Sequence, residues 1–83
     1  MTDREREAEI QRRLRLPYHR VIFGDPDDGY MGQVAELPGC FTSGDTAQEA
    51  LTNLSEAMAG WIESCLLAGD PIPEPADAFA LAG

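Results

Sequence analysis

The stretch ELPGCFTSGDTAQEAL, residues 36–51, contains the change of secondary structure that decides the fold. Pro38 and Gly39 are turn residues, so they end the strand that precedes them. Thr46, followed three residues later by Glu49, has the spacing of a capping box, in which two side chains satisfy backbone N–H groups at a helix start. The stretch therefore predicts a bend that leads from a strand into a helix.

The helix that begins at Thr46 is predicted to run to about Ala68, because Gly69 suits a left-handed cap and prolines follow it. Apolar residues recur along it with the i, i+3, i+4, i+7 spacing of an amphipathic helix. Its predicted core face consists of Ala47, Ala50, Leu51, Leu54, Met58, Trp61, Ile62 and Cys65. At this spacing Trp61 is interpreted as a core residue rather than an interface residue.

Two strands are predicted before the bend. YHRVIFG, residues 18–24, is rich in β-branched and aromatic residues, and the turn-forming DPDDG follows it. YMGQVAEL, residues 30–37, completes a hairpin, and residues 40–43 are long enough for a third strand. Both hairpin strands carry apolar residues on each face, so their sheet must be covered twice. One cover is the long helix, and the other is the N-terminal helix or another subunit.

Residues 2–16 predict that N-terminal helix, because Thr2 and Glu5 have capping-box spacing and Pro17 forces the chain out of helical geometry. Its apolar stripe is thin, so a solvated charged arm is the alternative interpretation. A helix of this kind depends on docking to another element.

The predicted architecture is a single α+β domain, residues 1–83, with a small antiparallel sheet of three or four strands packed by the long helix. Its parts are the N-terminal helix at 2–16, a core at 18–75 and a tail at 76–83, where Phe79 and Leu81 form a fourth, edge strand or fray. A chain of 83 residues buries a thin core, so we expect a homo-oligomer, either a dimer or a tetramer.

Charge is distributed unevenly along the chain, whose formal net charge is -9. All six arginines lie at or before Arg20, there is no lysine, and every charged side chain after Arg20 is acidic. Such a body repels nucleic acid, whose binding depends on neutralising phosphates. We therefore expect no direct nucleic-acid binding and a basic protein as partner.

No apolar run approaches the roughly 20 residues needed to cross a bilayer, and the N-terminus is too charged for a signal peptide. We expect a cytoplasmic protein that does not associate with a membrane. Cys40 and Cys65 are interpreted as reduced thiols, and no CxxC pair or Cys/His cluster indicates a metal.

Two groups of residues are candidates for catalysis or metal binding. Cys40 and the single histidine, His19, lack a third residue to orient them, so a packed thiol is the better interpretation. Asp25, Asp27 and Asp28 suit a divalent cation, but the other ligands of a calcium loop are missing and these residue types also favour a hairpin turn. We expect no catalytic residue, no metal and no cofactor.

Residues 29–75 contain a series of motifs in a particular order: a Tyr-led strand after an Asp-Gly turn, Leu-Pro-Gly-Cys, a Gly-Asp-Thr helix start, Glu-Ala-Leu and a closing Gly-x-x-Ile-Pro-x-Pro. This series resembles the N-terminal domain of HicB-type antitoxins, small bacterial proteins that include the short HicB-like chains of the UPF0150 group. The resemblance implies a degenerate ribonuclease H-like fold that lacks the nuclease carboxylates.

The resemblance also implies a role. HicB-like domains bind and neutralise a small basic HicA-type toxin that cleaves messenger RNA, and they do so by covering its active site. Family members typically continue into a DNA-binding domain, for which residues 1–83 have no room, so DNA binding of that kind is not expected here.

We predict that the acidic turn and helix surface contact the partner through Asp25, Asp27, Asp28, Glu49, Glu56 and Glu63. Two alternatives stay open. One is a stand-alone structural or regulatory oligomer without a toxin. The other is a metal-dependent nuclease, which requires at least two carboxylates that converge on a cation.

Overall fold

The structure is a computed structural model and describes residues 1–76. Its elements are α1 (Asp3–Leu14), β1 (Arg20–Asp25), β2 (Gly29–Val34), β3 (Phe41–Gly44) and α2 (Ala47–Ala68). Within residues 1–76 the three strands form one antiparallel sheet in the order β1-β2-β3, which confirms the α+β class. The fourth strand suggested at Phe79 and Leu81 lies outside the described residues.

Helix α2 begins and ends where the sequence predicts. The Thr46 hydroxyl accepts a hydrogen bond from Glu49 N at 3.0 Å, and Gly69 caps the other end with φ of 73°. The Glu49 carboxylate accepts from Asp45 N at 3.2 Å, one residue before the position that a complete capping box uses. Four residues of the predicted core face are fully buried: Ala50, Leu54, Met58 and Ile62.

The rest of that predicted face is less buried. Ala47 and Leu51 are exposed, while Trp61 and Cys65 are half-buried. Trp61 Nε1 donates a hydrogen bond to Pro38 O at 2.9 Å, so the indole links α2 to the bend at residues 38–39. The apolar stripe on α2 is thus narrower than the sequence pattern predicts.

Helix α1 has a complete capping box between Thr2 and Glu5, but it ends at Leu14, before the predicted Leu16. The N–H groups of Arg15 and Leu16 bond to carbonyls three residues back, which tightens the last turn ahead of Pro17. Ile10 is 3% exposed, so the interpretation as a solvated arm is wrong.

Among the helices and strands, α1 contacts only α2. Helix α2 covers one face of the sheet, which we call the inner face. The suggestion that the N-terminal helix covers the opposite face is therefore wrong, and no described element lies over that face.

The inner face is close to α2 because two of its positions lack a side chain. A Cβ on Gly44 would lie 2.5 Å from Ala50 N, and a Cβ on Gly32 would lie 3.5 Å from Ala50 O. The core between sheet and helix is formed by Tyr18, Val34, Leu37, Cys40, Leu54 and Met58. Cys40 is thus a packed core residue, as predicted.

Candidate partner-binding surface

The β1–β2 turn concentrates three of the predicted contact residues. The Asp25 carboxylate accepts hydrogen bonds from the N–H groups of Asp27 at 2.9 Å and Asp28 at 2.8 Å. Gly29 follows with φ of 88°, a conformation that favours glycine. Asp25 is therefore used to hold the turn, while the exposed carboxylates of Asp27 and Asp28 make no side-chain hydrogen bond to any described residue.

Next to this turn lies a cleft of about 270 Å³ between the start of β2, the end of β3 and the first turn of α2. We call it the acidic cleft. It is lined by Asp28, Gly29, Tyr30, Met31, Ser43, Gly44, Asp45 and Glu49. Asp28 and Glu49 were predicted as contact residues, whereas Asp45 was missed. The pairing of Tyr30 with Gly44 brings Asp45 to this cleft, and no local sequence motif predicts that register.

The other two predicted contact residues lie elsewhere. Helix α2 rises about 1.5 Å per residue, so Glu56 and Glu63 are displaced by about 10 and 21 Å along the axis from Glu49. Glu63 Oε2 also lies 3.9 Å from Arg6 Nε. The structure thus gathers Asp25, Asp27, Asp28 and Glu49 at one end of the sheet and leaves Glu56 and Glu63 apart from them.

The sheet face opposite α2, the outer face, is apolar and open. Cross-strand partners share a face, so the pairing places Val21, Phe23, Met31, Gln33, Phe41 and Ser43 together. Phe23 is 49% exposed and Phe41 63% exposed. Met31 belongs to this face and also lines the acidic cleft. An apolar surface therefore adjoins an acidic one, a combination typical of protein-binding surfaces.

At the opposite end of the sheet, Glu36 is a buried carboxylate. Its oxygens accept hydrogen bonds from His19 N at 3.0 Å and Ala76 N at 3.0 Å, and Oε2 lies 2.9 Å from His19 Nδ1. Burial alone would raise the pKa of Glu36, but the bonds from the His19 side chain and from the His19 and Ala76 backbone outweigh it, and the pKa is lowered. Glu36 fastens the chain beyond α2 to the start of β1.

A second contact ties α1 to the same C-terminal segment. The Tyr18 hydroxyl donates to Pro73 O at 2.6 Å and accepts from Arg13 Nη1 at 3.2 Å. Arg13 Nη2 lies 3.3 Å from Glu74 Oε1. The sequence did not predict this cluster or the role of Glu36, because the bonded residues lie far apart in the chain. Tyr18 and Pro73, for example, are 55 residues apart. Arg6 and Arg13 thus pair with the chain's own carboxylates.

The structure bears on the chemical alternatives as well. Burial raises the pKa of the Cys40 thiol, which disfavours the reactive thiolate. Within residues 1–76, no three His, Cys, Asp or Glu side chains are grouped to hold a metal ion. Of the two described helices, neither is long and apolar enough to cross a membrane.

Comparison with known proteins agrees with the motifs of residues 29–75. The model of the HicB-like antitoxins of bacterial toxin–antitoxin systems matches residues 18–81. The chain belongs to the HicB-like antitoxin family. Helix α1 lies before the matched region, so the family's shared part consists of the sheet, α2 and the C-terminal segment.

Individual relatives also match part of this chain. The UPF0150 protein Ta0767 of Thermoplasma acidophilum is 43% identical over 58 residues, which cover 70% of this chain and 84% of the relative. The UPF0150 protein ssr1765 of Synechocystis is 40% identical over 57 residues, 69% of this chain and 72% of the relative.

A third relative is longer. An uncharacterised 14.9 kDa protein of Haemophilus phage HP1 is 42% identical over 48 residues, which cover 58% of this chain and 36% of the phage protein. No solved structure matches this chain.

Proposed function

We propose that this HicB-like protein neutralises a basic HicA-type toxin by binding it and covering its active site, without catalysing a reaction itself. Family membership supports the antitoxin role. The observation that carries the choice of surface is the gathering of Asp27, Asp28, Asp45 and Glu49 at one end of the sheet, where no arginine of residues 1–76 forms a salt bridge with them. The proposed setting is the cytoplasm, where messenger RNA would be the toxin's substrate.

The charge pattern gives this proposal a physical basis. A surface with carboxylates and no compensating cation produces a negative potential that speeds encounter with a cationic, RNA-binding face. The adjacent outer face supplies apolar area that is buried once the two proteins are in contact. We propose Asp27, Asp28 and Glu49 as the first contacts, with Glu56 and Glu63 as contributors along α2.

The test is to mix the full chain with the short basic protein encoded next to its gene and to measure the dissociation constant by calorimetry. We expect Asp27→Asn with Asp28→Asn and Glu49→Gln to weaken binding about tenfold or more at low salt. Asp70→Asn is the matched control, because Asp70 is an exposed carboxylate beyond the far end of α2. An equal loss in both variants would contradict the proposed surface.

Salt provides a second readout. Between about 50 and 300 mM NaCl the affinity of the unmodified chain should fall, since exposed charges are screened over a distance of about 6–14 Å. The triple variant should show a smaller salt dependence. No binding at any salt concentration would overturn the toxin partner itself, whereas strong binding that ignores salt would overturn only the electrostatic account.

The order of three antiparallel strands followed by a long helix is compatible with the degenerate ribonuclease H-like fold that the family resemblance implies. We propose that kinship as ancestry of the fold and not of an activity, because fold alone is a poor guide to function. The nuclease alternative requires a cation site, and none is formed by the part of the chain that the structure describes.

A further inference from the structure

Helix α1 lies outside the part of the chain that the family shares. The family model matches residues 18–81, whereas α1 spans Asp3–Leu14. The 58 residues aligned with the UPF0150 protein Ta0767 already cover 84% of that relative. The sheet and α2 therefore build the shared fold, and α1 is an addition that lies against it. What α1 contributes depends on what it contacts.

The docked face of α1 is narrow and partly charged. Ile10 is its one fully buried residue, and Leu14 is half-buried against the core. The other half-buried residues of the helix are Arg6, Glu9 and Arg13. A helix of 12 residues is marginal in water by itself, so α1 is helical only while it is docked. With so little apolar area to hold it, α1 opens at a lower cost than the rest of the fold.

Two arginines of α1 lie against carboxylates from the acidic part of the chain. Arg6 Nε is 3.9 Å from Glu63 Oε2, and Arg13 Nη2 is 3.3 Å from Glu74 Oε1. Glu63 is also one of the proposed partner contacts on α2. Its side chain is 49% exposed, and an ion pair at such a surface contributes little to stability. Helix α1 thus places a cation weakly on a carboxylate that a basic partner would use.

We propose that α1 is an internal competitor, which docks reversibly on α2 beside Glu63 and is displaced by a basic partner. This inference rests on the proposed function, which supplies that partner. Undocking separates the arginines of α1 from their two carboxylates and adds both carboxylates to the negative surface. Tyr18 belongs to the matched region and keeps its bond to Pro73 O, so the C-terminal segment stays attached. The fraction of open chains then sets the apparent affinity for the partner.

The first experiment is limited digestion of the native full chain with trypsin. All six arginines lie at or before Arg20 and there is no lysine, so trypsin leaves residues 21–83 in one piece. Local opening exposes little surface and therefore depends little on urea. We expect cutting within α1 at a rate nearly independent of urea up to about 1 M. A rate that rises with urea as steeply as global unfolding would mean that α1 opens only with the whole fold, and the proposal would be wrong.

Variants of α1 test the docking itself. Ile10→Asp removes the buried side chain, and Ala8→Asp is the matched control, because Ala8 is exposed on the same helix and the added charge is identical. We expect trypsin to cut Ile10→Asp about tenfold faster or more than the unmodified chain, and Ala8→Asp within about twofold. Equal acceleration in both would contradict the docking. Unchanged fluorescence of Trp61 shows that the core stays folded; if Ile10→Asp alters it, the milder Ile10→Ala takes its place, with a smaller shift in the same direction.

The second experiment adds the short basic protein encoded next to the gene. By calorimetry, we expect Ile10→Asp to bind it about threefold or more tightly than Ala8→Asp, since no free energy is spent on undocking. Amide hydrogen exchange of residues 3–14 in the unmodified chain should become faster when the partner is added. Equal or weaker binding by Ile10→Asp, or slower exchange, would overturn the competition. No binding by any chain would overturn the toxin partner, and the trypsin digestion would then decide alone whether α1 opens.

Discussion

Apolar side chains line both faces of the sheet, yet Val34 on the inner face is 3% exposed while Phe41 on the outer face is 63% exposed. The alternation along the strands gives the outer face at least as many apolar side chains as the inner face. Only the inner face has α2 against it. The comparison shows that the location of the helix, and not residue type, decides which apolar residues stabilise the monomer and which remain available for binding.

The largest effect expected from this comparison is the loss of a core leucine. Leu54→Ala should lower the free energy of unfolding by about 2–5 kcal/mol, since it leaves a cavity beneath the inner face. Leu54 is 0% exposed, and the control on the same helix is Leu67→Ala, at a residue that is 65% exposed. Urea denaturation measures both. Similar losses in the two variants would mean that α2 does not bury the face described here.

The next effect tests how closely α2 approaches the inner face. Gly44→Ala should cost about 1–3 kcal/mol, because the added Cβ would lie 2.5 Å from the backbone nitrogen of Ala50 and the helix must move. Gly60→Ala is the matched change on α2, where nothing lies within 4 Å of the added Cβ. It should raise stability by up to about 1 kcal/mol, as alanine favours helix. A neutral Gly44→Ala would show a looser contact.

A third prediction concerns Glu36, at the end of the sheet opposite the acidic cleft. Glu36→Gln should lower the free energy of unfolding at pH 7 by about 1–2 kcal/mol, because the amide cannot accept all the bonds that the carboxylate accepts. The folded-state pKa of Glu36 lies below its ordinary value of 4.5. Its stabilising contribution is therefore complete above that value and is lost as the pH falls through the folded-state pKa.

Urea midpoints measured from pH 7 down to about pH 3 check this. The unmodified chain should lose stability relative to Glu36→Gln over the acid range, so the two curves converge. Glu56→Gln is the control, because Glu56 is an exposed carboxylate on α2. If the urea midpoints of the unmodified chain and Glu36→Gln differed by the same amount at every pH, the charge of Glu36 would not be the cause of the difference in stability.

The smallest effect is expected on the open face. Phe41→Ser should change the free energy of unfolding by no more than about 0.5 kcal/mol, since the ring has little contact to lose. Measured at a concentration where the chain is monomeric, a loss near that of Leu54→Ala would show that the outer face is covered after all. The losses of unfolding free energy in Leu54→Ala and Phe41→Ser thus measure how differently the two faces contribute to stability.

Most of the fold could be predicted because its signals are local. The capping residues at Thr2 and Thr46, the glycine after α2 and the turn residues between the strands each favour one backbone geometry within a few positions. Element ends were less predictable: α1 ends at Leu14 because its last turn tightens before Pro17, an effect that the periodicity does not show. The burial of Leu51 was overestimated for a similar reason, since periodicity identifies a stripe and not its width.

The candidate surface was only partly predictable. The acidic composition after Arg20 indicated a basic partner, and Asp28 and Glu49 do line one cleft. Asp45 joins them through the β2–β3 register, while Glu63 is drawn towards Arg6 of α1. Side chains distant in sequence are brought together by strand pairing and helix docking, which depend on the whole chain.

By itself, the sequence determined where α2 begins and ends, that three strands precede it, that the sheet is apolar on both sides, that positive charge precedes residue 21 and that the family is HicB-like. The tertiary structure alone decided which sheet face α2 covers and that Glu36 fastens the C-terminal segment. The physical reason is that backbone preferences act over a few residues, whereas the covering of a sheet face and the contacts of Glu36 result from packing between elements far apart in the chain.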